Sequence, residues 1–181
     1  MIEEPIESRR IYEGRVLNLR VDTVRLPDGR LTTREVVEHG GAVALVPLHD
    51  DGTITFVRQY RTPAQAVLLE IPAGGIDPGE SPEAAAHREL AEETGLRASR
   101  LEHVAAFYTA AGFCSEFMHL YIATGLSEAT AHQDDDENIE TIRLTLEDAL
   151  ARVASLRGRP RRQEPHRPPH PPTAPGLTAI P

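Results

Sequence analysis

Apolar and polar residues alternate along Arg15–Leu26 (RVLNLRVDTVRL), the period of a strand with one face buried. Pro27-Asp28-Gly29 is a turn signal, and the alternation resumes over Arg30–Glu38, so the two runs predict a hairpin. Gly41–Pro47 (GAVALVP) is nearly all apolar and predicts a buried strand. Asp50-Asp51-Gly52 marks the next turn and Thr53–Gln59 the next strand, so residues 10 to 60 read as β-rich. Leu68–Pro72 then leads into a glycine-rich loop.

A helix follows. Ser81 suits the N-cap, Pro82 the first helical position, and Glu83 the positive helix end. Strong helix formers (AAAHRELAEE) run on to Gly95, a natural C-terminal stop. Strand-like stretches recur at Leu101–Tyr108 and Met118–Ala123. An acidic loop, His132–Glu140, precedes a strand near Thr141–Leu144, and Leu146–Leu156 has the pattern of a second helix. This order predicts an α/β fold, a mixed sheet with helices on both faces. From Arg157 the chain is rich in proline, arginine and histidine without apolar periodicity. That composition buries too little surface to offset its ordering entropy and predicts a disordered tail over 157–181.

The chain has 181 residues, 40% of them hydrophobic, enough for one domain with a sizeable core, expected over 1–156. The formal net charge of −9 argues against a nucleic-acid partner, which needs a basic surface. An anionic ligand would have to be met by local arginines or a metal cation. Cys114 is the single cysteine, so no internal disulfide forms. MIEEPIESRR lacks the apolar segment of a signal peptide, and no apolar run reaches the roughly 18 residues of a membrane span. A soluble cytoplasmic protein with no membrane partner is expected.

The helix carries an unusual acidic cluster. Glu89 and Glu93 are four residues apart and Glu92 is three from Glu89, which puts all three on one face. Like charges so spaced cost a few tenths of a kcal/mol per pair, and Arg88 offsets part of this by pairing with Glu92 at i, i+4. A hard cation would relieve the rest, because Mg²⁺ takes oxygen ligands and bridges carboxylates to phosphates. Three glutamates on a helix are more often a plain solvated surface. The preceding loop, Pro72–Glu80, changes that reading: its glycines let the backbone turn sharply and aim a carbonyl at the same cation.

From Gly74 the chain reads G-x5-E-x7-R-E-L-x-E-E-x-G-L, through Glu80, Arg88, Glu89, Leu90, Glu92, Glu93, Gly95 and Leu96. This resembles the Nudix box at each fixed position. The resemblance implies a loop–helix–loop on an α/β/α sandwich with a mixed β-sheet and an N-terminal antiparallel hairpin region. It implies Glu89 and Glu93 as metal ligands, Glu92 assisting, and the Ala73 carbonyl completing the set. Arg88 would orient the glutamates and Glu80 would brace the loop. The cofactor implied is Mg²⁺, with Mn²⁺ as a substitute.

The flanks, Val57–Arg61, Leu69–Gly74 and Tyr108–Glu116, resemble the ADP-ribose pyrophosphatase branch over roughly residues 10 to 156. That branch implies phosphate contacts from Arg61 and the neighbouring Arg58, and a terminal-ribose contact from Glu116. It implies an adenine-side role for Arg34 and Glu35, and a homodimer through the N-terminal strands at about 10–40. The general base is expected in the acidic loop, at Glu137 in first place and Asp135 in second, depending on register. Two features depart from the branch: Ala110-Ala111 stands where Ser-Pro is usual, and the Pro/Arg-rich tail replaces the final helix. The expected substrate is ADP-ribose, cleaved to AMP and ribose 5-phosphate. Another nucleoside diphosphate sugar, such as GDP-mannose, and a non-catalytic ligand sensor are the alternatives.

Overall fold

The computed structural model describes residues 2–129 and 138–156. Asp135, Glu137 and the 157–181 tail lie outside the described residues. The chain divides into two compact units, Met1–Leu146 and Glu147–Pro181.

Three sheets build the first unit. The N-terminal one is antiparallel, in the order β1 (Glu4–Glu13), β2 (Asn18–Arg25), β3 (Leu31–Glu38). The alternation at Arg15–Leu26 and Arg30–Glu38 anticipated the last two. It did not anticipate β1, which begins ahead of residue 10 and is exposed along almost its whole length. With no face buried, nothing imposes a period of two on its sequence. Pairing and polar contacts hold it instead: Ser8 Oγ donates to Asp22 at 2.7 Å, and Arg25 meets Glu4 at 3.1 Å. The expected start of β2 at Arg15 also moves. Residues 14–17 form the turn, where the Gly14 N–H donates to the Leu17 carbonyl at 3.1 Å and to Asn18 Oδ1 at 3.2 Å.

The middle sheet is mixed, in the order β7 (Ala73–Gly75), β4 (Ala42–Pro47), β9 (Phe117–Glu128), β8 (Leu96–Tyr108), with β4 and β9 parallel. Part of the expected glycine-rich loop is therefore strand: Ala73, Gly74 and Gly75 pair with Ala44, Val43 and Ala42. The third sheet is antiparallel, in the order β10 (Glu140–Thr145), β5 (Thr53–Arg61), β6 (Ala66–Glu70).

Helix α1 (Pro82–Thr94) starts and stops where its caps predict. Ser81 accepts from the Ala84 N–H at 3.2 Å, and Gly95 takes a left-handed conformation with φ 66° and donates to the Ala91 carbonyl. The helix buries Ala85, Ala86 and Leu90 against Val43, Leu45, Tyr121 and Ala123 of β4 and β9. The two alanines let the helix lie close to the sheet, and Leu90 fills the gap beside them. This packing sets the level of the whole acidic face relative to β7. Helix α2 spans Leu146–Leu156, all but its first residue in the second unit, with Glu147 and Asp148 complementing its N-terminal dipole. Among the described residues no helix is long and apolar enough to cross a membrane.

The β4–β5 turn is tied across the third sheet. Asp51 accepts from the Thr53 N–H at 3.0 Å and its hydroxyl at 2.6 Å, and pairs with Arg143 of β10 at 2.8 Å. The Thr53 bonds first, and Arg143 after them, lower the Asp51 carboxyl from its ordinary 3.8 to about 2. A depressed carboxylate contributes stability above its unfolded value and loses it as pH falls through the folded one. The gap in melting temperature between wild type and Asp51→Asn should therefore be widest above pH 5 and close between about pH 4 and pH 2. A gap constant over that window, in melts followed by circular dichroism, would contradict this role for Asp51.

Candidate active site

The link between β7 and α1 is a tight, self-braced turn. The Glu80 N–H donates to the Asp77 carbonyl at 2.9 Å, and Glu80 Oε2 accepts from the Asp77 N–H at 3.1 Å. Glu80 also receives Arg88 in a two-pronged contact, Nε to Oε1 at 3.1 Å and Nη2 to Oε2 at 2.9 Å. The rest of the guanidinium reaches the Gly75 carbonyl at 2.8 Å, Glu89 at 2.6 Å and Glu92 at 3.0 Å. The planar fork of an arginine, with five N–H groups in fixed directions, suits this multiple contact where a lysine would not.

The electrostatics follow from that geometry. The Arg88 guanidinium holds the Glu80 carboxyl below the usual range; burial works against this and the Asp77 N–H adds to it. In return, Glu80 first, then Glu89 and Glu92, raise Arg88 further above its ordinary value against the opposing effect of burial. Arg88 is thus a positive charge held among three carboxylates. Glu93, the next acid along, is only 3% exposed and accepts from the Ala73 N–H at 2.9 Å.

Gly74 explains the loop glycine. A Cβ added there would fall inside the Glu89 carboxylate, so the backbone of β7 and that side chain share a space only glycine leaves open. Ala73, Gly74, Glu80, Arg88, Glu89, Glu92 and Glu93 are therefore brought together as the sequence suggested. Gly95 acts at a distance, ending the helix that carries the acids.

Among the described residues no three Asp, Glu, His or Cys side chains already form a ligand cage. Glu89 and Glu92 turn onto Arg88, and Glu93 onto Ala73. The donor set nevertheless fits a hard divalent cation: three carboxylates within five residues, beside a backbone kept bare by Gly74. Coordination would draw Glu89 and Glu92 partly away from Arg88 while Glu80 keeps it in place.

Four of the other expected residues, Arg34, Glu35, Arg58 and Arg61, fall in two hollows whose walls include none of the helix glutamates. Arg58 and Arg61 line one of about 750 Å³, where Arg58 pairs with Glu140 and Arg61 with Glu70, each at 2.9 Å. Arg34 and Glu35 line one of about 430 Å³, together with Glu3, Tyr108 and Phe113. Arg34 is there engaged by Glu3 at 2.5 Å. Glu116 stands at the end of the β8–β9 loop, accepting from Thr109 Oγ1 at 2.5 Å with His39 Nδ1 at 3.7 Å. Sequence reasoning missed Arg15, Tyr60, Tyr108 and Phe113 as hollow-lining residues. Each is brought in by a turn or strand end, where periodicity carries no signal.

Comparison with known proteins follows the same lines. A NUDIX domain model matches residues 38–166, and a nucleoside diphosphate sugar hydrolase N-terminal domain model matches residues 3–37. The chain is 44% identical over 155 residues to an ADP-ribose pyrophosphatase of Bacillus subtilis (strain 168), covering 84% of each chain. It is 43% identical over 157 residues to a methanol dehydrogenase activator of Bacillus methanolicus, covering 86% of this chain and 85% of that one. A crystal structure of an ADP compounds hydrolase shares the fold, with a TM-score of 0.75 at 24% identity over 85% of this chain and 84% of that one. The arginine-braced glutamates thus sit within a domain match that takes in most of the chain, and the protein belongs to the Nudix hydrolase family.

Proposed function

We propose that this Nudix enzyme hydrolyses ADP-ribose to AMP and ribose 5-phosphate with Mg²⁺ as its cofactor. The observation that carries the reading is the Arg88-centred cluster, which gathers Glu80, Glu89 and Glu92, with Glu89 against Gly74 of β7 and Glu93 on the Ala73 N–H. The substrate class is supported by the N-terminal domain match and by the Bacillus subtilis relative.

Glu89, Glu92 and Glu93 with the Ala73 carbonyl would hold the divalent ions, which supply Lewis-acid stabilisation of phosphoryl charge and an acidified water. The chain's own groups do the rest. Arg88 holds Glu89 and Glu92 in register. Arg61 and Arg58 offer bidentate donors to the phosphates, for which their partners Glu70 and Glu140 hold them ready. Arg34 and Glu35 take the adenine side, and Glu116 the terminal ribose. In the reaction, water oxygen bonds to one phosphorus, the bridging P–O bond breaks, and two phosphate monoesters leave. A water proton passes to a loop carboxylate, Glu137 in first place and Asp135 in second. GDP-mannose or another nucleoside diphosphate sugar is the competing substrate.

The protein is further proposed to act as a homodimer. Ile6, Tyr12 and Leu31 of the N-terminal sheet are 45%, 57% and 57% exposed, and a partner copy docked on this sheet would cover them. Light scattering should give twice the chain mass of 19.9 kDa at micromolar concentration; a single chain mass would refute the dimer.

A phosphatase-coupled panel of ADP-ribose, GDP-mannose, NADH and nucleoside triphosphates tests the substrate. ADP-ribose should show the highest kcat/KM, only with Mg²⁺, and a higher value for GDP-mannose would overturn the assignment. Glu93→Gln keeps an acceptor for the Ala73 N–H, so it should melt like wild type. Its turnover should fall about 10²–10³-fold, the equivalent of several kcal/mol of lost charge stabilisation.

A further inference from the structure

The hollow of about 750 Å³ beside β5 contains three arginines, Arg15, Arg58 and Arg61, with Tyr60, Asn138 and Glu140 among the other wall residues. Their charges are not equivalent. Arg58 is neutralised by Glu140 and Arg61 by Glu70, each at 2.9 Å. Arg15 is exposed and, among the described residues, makes no ion pair and no side-chain hydrogen bond. Among the described residues, three guanidinium groups less two carboxylates leave one positive charge, and it belongs to Arg15. In a chain of net charge −9, a local uncompensated cation is what an incoming polyanion would meet first.

The position of Arg15 is built rather than accidental. It sits in the 14–17 turn, whose ends are fixed by the Glu13–Asn18 pairing and by the two bonds from the Gly14 N–H. The turn therefore presents the side chain to the hollow from a paired hairpin. The hollow also adjoins the glutamate cluster along the chain: Glu70, which holds Arg61, is three residues before Ala73.

We infer that Arg15, on the β1–β2 turn, contacts a phosphate of the nucleoside diphosphate and sets affinity for it. The inference rests on the hydrolase reading above, and it deepens that reading by adding a phosphate contact from the β1–β2 turn. Arg58 and Arg61 give orientation, since their charges are already met. Arg15 supplies the net charge, and its own geometry is fixed only when the anion arrives.

The test is calorimetric titration of wild type, Arg15→Ala and Arg15→Lys with ADP and, separately, with adenosine, in EDTA so that protein groups alone hold the anion. Wild type should bind ADP, Arg15→Ala about tenfold or more weakly, as for loss of a charged hydrogen bond, and Arg15→Lys in between. Adenosine should bind all three alike. Equal ADP affinity in wild type and Arg15→Ala, no ADP binding by wild type, or an equal loss for adenosine would each overturn the phosphate contact. With Mg²⁺ and ADP-ribose, Arg15→Ala should raise KM by a similar factor with kcat held to within about threefold; a fall in kcat at unchanged KM would also overturn it. The titration needs no turnover. Arg15-dependent ADP binding without ADP-ribose hydrolysis would therefore sustain Arg15 and sink the substrate assignment alone.

Discussion

One guanidinium organises this molecule's chemistry. Arg88 sits among Glu80, Glu89 and Glu92, and without it the acidic face of α1 would set like charges at helical neighbour spacing. By meeting Glu80 with two prongs and the Gly75 carbonyl with a third contact, it also fastens the turn before the helix to the helix itself. Glu93 needs a different solution because it is buried. A buried carboxylate without a donor costs several kcal/mol, and the Ala73 N–H provides one. The same backbone segment thus orients one acid through a hydrogen bond and makes room for another through the missing side chain of Gly74.

The fold serves that arrangement by fixing heights. Ala85, Ala86 and Leu90 seat α1 on β4 and β9, and β4 is in turn paired with β7. The acids and the backbone they face are therefore registered through a single core. The third sheet contributes the arginine hollow, because β5 carries Arg58 and Arg61 while β6 and β10 carry their partners Glu70 and Glu140.

Much of this was legible in the residues. The caps at Ser81 and Gly95 fixed α1 because their preferences are local, and the spacing of Glu89, Glu92 and Glu93 is a property of any helix. The all-apolar Gly41–Pro47 run located β4 because both its faces are covered. What was hidden has a common physical origin. The strand β1 has no buried face and so no pattern, and β7 has three small residues whose pairing partner is distant in sequence. The hollows depend on which turns meet, so neither Arg15 beside Arg61 nor Tyr108 beside Arg34 could be read from spacing. Helical spacing pairs Arg88 with Glu92, whereas its first partner is Glu80, eight residues back across the turn, which spacing within one helix does not reveal. The general base, placed at Glu137 or Asp135, lies outside the described residues.

The central claim is that these clamped glutamates are poised to receive a divalent ion. Mn²⁺ binding followed by electron paramagnetic resonance tests it directly, since free and bound ion give separable signals. Wild type should bind Mn²⁺ with loss of the free-ion signal, and Glu89→Gln should weaken that binding at least tenfold while its melting temperature stays close to wild type. Equal Mn²⁺ affinity in the two proteins would contradict the account.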